Sequence, residues 1–193
     1  IVAGMGGSHL AADLIRAWKP DLPIYIHQDY GLPSVPTEFL KKSLLIASSY
    51  SGNTEEVLDF FDQARAKNLS LAAISVGGKL LEQAVRYNIP YIQLPETGIQ
   101  PRSALGFNFK ALLKLMRQNT ALTEITKLSK KLDPMAYHAS GKDLAKRLKN
   151  HIPVIYSSLR NLSIAYNWKI KFNETGKIPA FYNVLPELNH NEM

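Results

Sequence analysis

The sequence predicts an α/β protein: a doubly wound parallel sheet of five strands with helices on both faces, followed by the start of a second α/β domain. Three observations carry this expectation. Short, unbroken apolar runs recur through residues 1–95, each ends in a small or polar turn, and a helical period follows each turn. Strands that are apolar throughout are buried on both faces, and their alternation with helices means parallel pairing.

The first strand, Ile1-Val2-Ala3, runs into Gly4-Met5-Gly6-Gly7-Ser8, and Leu10, Leu14, Ile15 and Trp18 then recur at helical spacing. Ile24-Tyr25-Ile26, after Pro23, reads as the second strand. Leu44-Leu45-Ile46-Ala47 is the third; it ends at Ser48-Ser49-Tyr50-Ser51-Gly52-Asn53-Thr54, ahead of a helix through Val57, Leu58, Phe61 and Ala64. Leu71-Ala72-Ala73-Ile74 is the fourth, with a short helix holding Leu80, Leu81, Ala84 and Val85, and Tyr91-Ile92 is the fifth. Open sheets of this kind receive ligands at the carboxyl ends of their strands.

From Ser103 to Asn150 the strand pattern stops. Residues 103–118 and 122–132 read as helices, and Asp133-Pro134 offers an N-cap and first-turn proline for another. Ile152-Pro153-Val154-Ile155-Tyr156 is then a new strand, feeding a long helix over Leu162, Ile164, Ala165, Trp168 and Phe172. The expected organisation is a first domain over 1–120, a helical linker over 121–150 and the N-terminal part of a second domain over 151–193. Both termini read as cuts through a larger protein.

Apolar residues make up 46% and charged residues 20%, the profile of an ordinary globular domain. No apolar run is long enough to span a membrane, and no secretory signal opens the chain. With no cysteine there is no disulfide, thiolate metal site or thiol nucleophile, which fits a reducing cytoplasm. The net charge of +7 suits a phosphorylated metabolite, nucleic acid or an anionic surface. Nucleic acid is disfavoured, because Lys127, Lys130, Lys131, Lys142, Lys146, Arg147 and Lys149 alternate with apolar positions as a solvated helix face does.

Ser49-Tyr50-Ser51-Gly52-Asn53-Thr54 lies between a buried strand and a helix. Its hydroxyls, its glycine and the helix amides form an anion cradle, with Gly52 free to take a positive φ and Thr54 placed to cap the helix. One such loop is equally a turn with a good N-cap and no ligand. Here Gly6-Gly7-Ser8 ends another strand of the same sheet, and two loops converging on one crevice favour phosphate or phosphosugar. Neither is a Walker A loop, and His9 breaks dinucleotide spacing.

In this order, Gly6-Gly7-Ser8 and Ser49-Tyr50-Ser51-Gly52-Asn53-Thr54 resemble the sugar isomerase (SIS) domain family. Pro101-Arg102-Ser103, Asn173-Glu174, Lys177-Ile178-Pro179-Ala180-Phe181 and Glu187-Leu188-Asn189-His190-Asn191 look like its bifunctional phosphoglucose/phosphomannose isomerase branch. The resemblance implies a flavodoxin-like SIS fold, the start of a second SIS domain, and a metal-independent, cofactor-free aldose–ketose isomerase of cytoplasmic sugar metabolism (glycolysis and gluconeogenesis). Its substrates would be glucose 6-phosphate and fructose 6-phosphate, with mannose 6-phosphate reached through the same cis-enediol. The family pattern puts phosphate on Ser49, Ser51 and Thr54, with Gly7 and Ser8 beside the sugar. It makes Arg102 the enediolate stabiliser, Glu174 the base and His190 the ring-opening group, reaching the partner's site in a homodimer. Those residue types suit the chemistry: a carboxylate moves the proton, a cation meets oxyanion charge, and an imidazole titrates near neutrality.

Taken singly, each has a commoner reading: Glu174 as a solvated carboxylate, Arg102 as an ion-pair partner and His190 as a surface histidine in a polar loop. His27, His138 and His151 have no motif around them. The resemblance also has departures. The family commonly has glycine where this chain has His9, which implies a tighter loop or a different sugar. Thr175 and Gly176 replace asparagine and alanine, and Gly176 is expected to loosen the helix end that aims Glu174. The family's second half extends beyond Met193, so the chain alone is expected to bind poorly or be inactive. A non-catalytic SIS phosphosugar sensor remains the alternative; it would keep the hydroxyl loops but has no need of Glu174 or His190.

Overall fold

The computed structural model describes residues 1–192 of the chain, which divides into two compact units, Ile1–Leu122 and Thr123–Met193.

In the first unit β1 (Val2–Ala3), β2 (Ile26–His27), β3 (Leu45–Ser48), β4 (Leu71–Ser75) and β5 (Tyr91–Gln93) form one sheet in the order β2-β1-β3-β4-β5. Every pairing is parallel, so this is the expected doubly wound α/β sheet. β3 and β4 are buried at every residue, as their apolar runs require, whereas β5 at the edge alternates exposed and half-buried. The crossovers are α1 (Leu10–Trp18), α2 (Thr37–Lys42), α3 (Glu55–Ala66) and α4 (Gly78–Arg86). Phe60 and Phe61 of α3 and Leu80 of α4 pack with Leu45, Ala47 and Ala73 in one core cluster. α5 (Leu105–Leu115) packs along α1, with Trp18 and Phe109 rings 6.0 Å apart.

Two local expectations shift. The second strand falls at Ile26–His27 rather than 24–26, because the edge ladder is set by β1: Val2 N–H donates to Tyr25 O and Gly4 N–H to His27 O. The helix α2 has no counterpart among the sequence expectations. It follows Pro36 and buries only Leu40, so it offers almost no apolar period to read.

α6 (Asn119–Ser129) leads out of the first unit. In the second unit Asp133 Oδ1 accepts from Met135 N–H at 3.0 Å, opening a 3-10 turn that continues into α7 (His138–Arg147). β6 (Val154–Ser158) and β7 (Phe181–Leu185) pair in parallel, joined by α8 (Leu162–Lys171), whose Ala165 and Ile170 are buried. α9 (Leu188–Asn191) closes the described chain, with Leu188 buried. β7 and α9 were not anticipated: His190 is expected in a polar loop but sits in this one-turn helix, which Leu188 anchors. Among the described residues no helix is long and apolar enough to cross a membrane.

Candidate functional site

The first unit brings six of the sequence-nominated residues to the carboxyl ends of β1 and β3. Gly6–Ser8 forms a 3-10 turn directly after β1. Its Ser8 is tied to the β3 side twice: Ser8 Oγ accepts Tyr50 N–H at 3.1 Å, and Ser48 Oγ donates to Ser8 O at 3.2 Å. The two small-polar loops therefore share one crevice wall. The Ser8 hydroxyl accepts from backbone, which leaves its own proton to donate elsewhere.

In the second loop Ser49, 1% exposed, is the hub. Its Oγ accepts Gly52 N–H at 3.1 Å and lies 2.8 Å from Thr54 Oγ1. Thr54 occupies the N-cap position of α3 but makes no side-chain cap bond, contrary to expectation. Its hydroxyl faces Ser49 instead, so helix capping gives way to loop construction. Ser51 is exposed, and its Oγ accepts Asn53 N–H at 3.3 Å. Glu55 and Glu56 stand in the first turn of α3, so the donors this loop offers are neutral hydroxyls and backbone amides. The negative field is felt nearby: chiefly the Glu56 carboxylate pushes the Tyr30 phenol above its usual range. Ser49→Ala should leave the Thr54 hydroxyl without its Ser49 partner, while Gly52 N–H keeps only its bond to Ser49 O. We expect a loss of about 1–3 kcal/mol in thermal unfolding and weaker phosphosugar binding by calorimetry.

Arg102 arrives by close backbone packing. A Cβ on Gly7 would stand 2.9 Å from Arg102 N and 2.9 Å from Pro101 C, so only glycine lets these two segments meet. Pro101–Ser103 is a 3-10 turn leading into α5, and Arg102 is half-buried. Gly52 takes φ +73°, as expected, and its missing Cβ is what lets the Gly77 carbonyl close under the loop.

Sequence reading missed this underpinning. Ser75 Oγ donates to Gly77 O at 2.6 Å, and Asn53 Oδ1 accepts Lys79 N–H at 3.2 Å, so the β4–α4 turn is the floor of the second loop. Gly77-Gly78 at a strand end was the available signal. It also missed the cluster behind Ser8, where the buried His9 ring meets Asp13 and Gln28. A cavity of about 510 Å³ lined by Ile1, Ile24, Leu44 and Met116 lies at the opposite, amino ends of the strands.

Glu174 and His190 belong to the second unit. Glu174 is half-buried in a π-helical turn, Phe172–Gly176, that continues α8. Such turns are frequent at functional positions. Gly176 does not loosen this end: the reversal falls on Lys177 at φ +55°, and Asn173 Nδ2 donates to Ile178 O at 3.0 Å, closing the turn. His190 is exposed on α9.

A family described as the bacterial phospho-glucose isomerase C-terminal SIS domain matches residues 138–193. A protein of Caldicellulosiruptor bescii named bifunctional phosphoglucose/phosphomannose isomerase is 37% identical, over 100% of this chain and 61% of its own length. One of the same name from Aquifex aeolicus is 34% identical, over 100% of this chain and 60% of its length. A Sulfolobus acidocaldarius protein named D-glucosamine-6-phosphate 4-epimerase is 32% identical, over 98% of this chain and 61% of its length. Among solved structures, the C-terminal domain of glucosamine-fructose-6-phosphate aminotransferase from Francisella tularensis superposes with a TM-score of 0.70. It is 14% identical, over 98% of this chain and 59% of that one, a likeness of fold. The chain thus spans about three-fifths of the length of the curated relatives it matches. Residues 138–193 thus match an SIS-domain family, and along its whole length the chain is similar to proteins named bifunctional phosphoglucose/phosphomannose isomerase.

Proposed function

We propose that this chain forms the phosphosugar-binding portion of an aldose–ketose isomerase that interconverts fructose 6-phosphate with glucose 6-phosphate and mannose 6-phosphate. The observation that carries the reading is the joined hydroxyl crevice, in which Ser8 is hydrogen-bonded to the loop of Ser49, Ser51 and Thr54 while Gly7 packs on the Arg102 backbone. The names of the full-length relatives support it.

In this reading the phosphate sits on Ser49, Ser51 and Thr54, and the sugar extends along Gly7 and Ser8. Neutral donors suit an anion that must also leave. Arg102 supplies the cation where oxyanion charge develops on the enediolate. Glu174 takes the proton from one carbon of the C1–C2 pair and returns it to the other. The hydroxyl proton on the neighbouring carbon passes to the carbonyl oxygen as the enediol forms and collapses, so no net proton is gained or lost. His190 assists ring opening, in the site of a partner subunit in a homodimer. Glucose and mannose phosphates differ at C2 alone and share the enediol, so dual use requires only relaxed facial control. No metal or organic cofactor enters this scheme. The domain assignment that accompanies it is 1–120, a linker over 121–150, and the opening of a second SIS domain over 151–193. Cytoplasmic sugar metabolism is the expected setting.

The test is a coupled assay on the full-length protein, without added metal, following glucose 6-phosphate formed from fructose 6-phosphate. Mannose 6-phosphate and glucosamine 6-phosphate are run in parallel, the latter because of the epimerase-named relative. Turnover of fructose 6-phosphate supports the isomerase. Clear phosphosugar binding without turnover would favour the sensor.

A further inference from the structure

The buried polar cluster behind Ser8 has no part in the scheme above. His9 is 1% exposed and sits at the N-terminus of α1. Its Nδ1 lies 2.6 Å from Asp13 Oδ2, and its Nε2 lies 2.9 Å from Gln28 Nε2. These partners define the ring. An ionised carboxylate only accepts, so Nδ1 carries a hydrogen; an amide nitrogen only donates, so Nε2 is the lone-pair nitrogen. Asp13 Oδ1 in turn accepts from Arg16 Nη2 at 3.3 Å.

At the opposite end of this chain of bonds from Arg16, Gln28 is exposed. It immediately follows β2, which pairs with β1, so it stands at the carboxyl edge of the sheet beside the Gly6–Ser8 turn. The backbone around it is pinned, since His27 Nε2 meets Gly31 O at 2.9 Å and Gly31 N–H donates to Asp59 Oδ2 at 2.6 Å. A long amide side chain at the surface normally samples several rotamers at an entropic cost when it binds. Here a buried imidazole has already fixed it. Only one of its amide hydrogens is used by His9. The second hydrogen and the carbonyl oxygen can face a ligand, a donor–acceptor pair matched to adjacent hydroxyls.

We propose that Gln28 is a sugar-hydroxyl-binding residue of this crevice, and that His9, held by Asp13, is the positioning residue that aims it. The proposal rests on the phosphosugar reading. Phosphate is anchored at the end of β3, the sugar crosses the end of β1, and Gln28 flanks its far side just after β2.

The test separates the sugar from the phosphate. Dissociation constants for fructose 6-phosphate and for inorganic phosphate are measured by titration calorimetry on the full-length protein, for wild type, Gln28→Ala, His9→Ala and the double variant. Loss of one fixed hydrogen bond should weaken fructose 6-phosphate about tenfold in each single variant and leave inorganic phosphate unchanged. The double variant should bind no worse than Gln28→Ala, because His9 acts through Gln28. Unchanged fructose 6-phosphate binding by Gln28→Ala overturns the proposal alone. Equal weakening of both ligands by His9→Ala with a lowered Tm reduces His9 to a structural role and also overturns it. Wild type that binds neither ligand removes the phosphosugar reading together with this one.

Discussion

Glu174→Gln in the full-length protein should lower kcat for fructose 6-phosphate about a thousandfold and change KM little. The substitution keeps shape and removes the base, so the site would still gather substrate but not move the proton. The local structure makes this a clean experiment. Glu174 is half-buried in a π-helical turn that Asn173 closes onto Ile178 O through its own side-chain amide. A second readout follows from the enediol. A base that exchanges its proton with water incorporates solvent deuterium at the sugar carbon, and the variant should lose incorporation together with turnover. A fall of less than tenfold in kcat would assign the proton transfer to another residue.

Gly52→Ala should destabilise the first unit by about 2–5 kcal/mol. The left-handed backbone accounts for about 1–2 kcal/mol of that and overpacking for about 1–3 kcal/mol. The added methyl would run into the Gly77 carbonyl and stand 2.7 Å from Ser75 Oγ. Neither is a flexible side-chain end: the carbonyl is backbone, and Ser75 Oγ is held in two bonds to Gly77. The strain must therefore displace the second loop. Thermal melts should show Tm lowered on the order of 10 °C, and phosphosugar binding should be lost along with Gly52 N–H to Ser49 Oγ. Melting at the wild-type temperature would mean that the turn beneath the loop yields more easily than its hydrogen bonds imply.

Much of this architecture was readable in advance. Ile46, Ala47, Ala72 and Ala73 lie in uninterrupted apolar runs, and such runs have one stable home, the centre of a parallel sheet covered on both faces. Short elements with no period were not readable. α2 buries a single leucine, and in α9 Leu188 is the one buried residue. The strand at 26–27 overlaps its apolar signal at 24–26 only in Ile26, because pairing with β1 positioned it.

The site divides along the same line. The sequence by itself determined the residue types: small-polar loops after two apolar strands, a glycine where φ is positive, and a carboxylate, arginine and histidine suited to proton transfer. Tertiary structure alone decided how they are used. Thr54 could cap α3 or meet Ser49, and it meets Ser49. His9 could crowd the first loop, yet it turns inward to Asp13 and Gln28. Gly7 is required because Pro101 and Arg102, far along the chain, pack against it. The reason is physical. Burial follows from local apolar content and its spacing, whereas a hydroxyl, amide or imidazole bonds whichever partner the fold brings within about 3 Å.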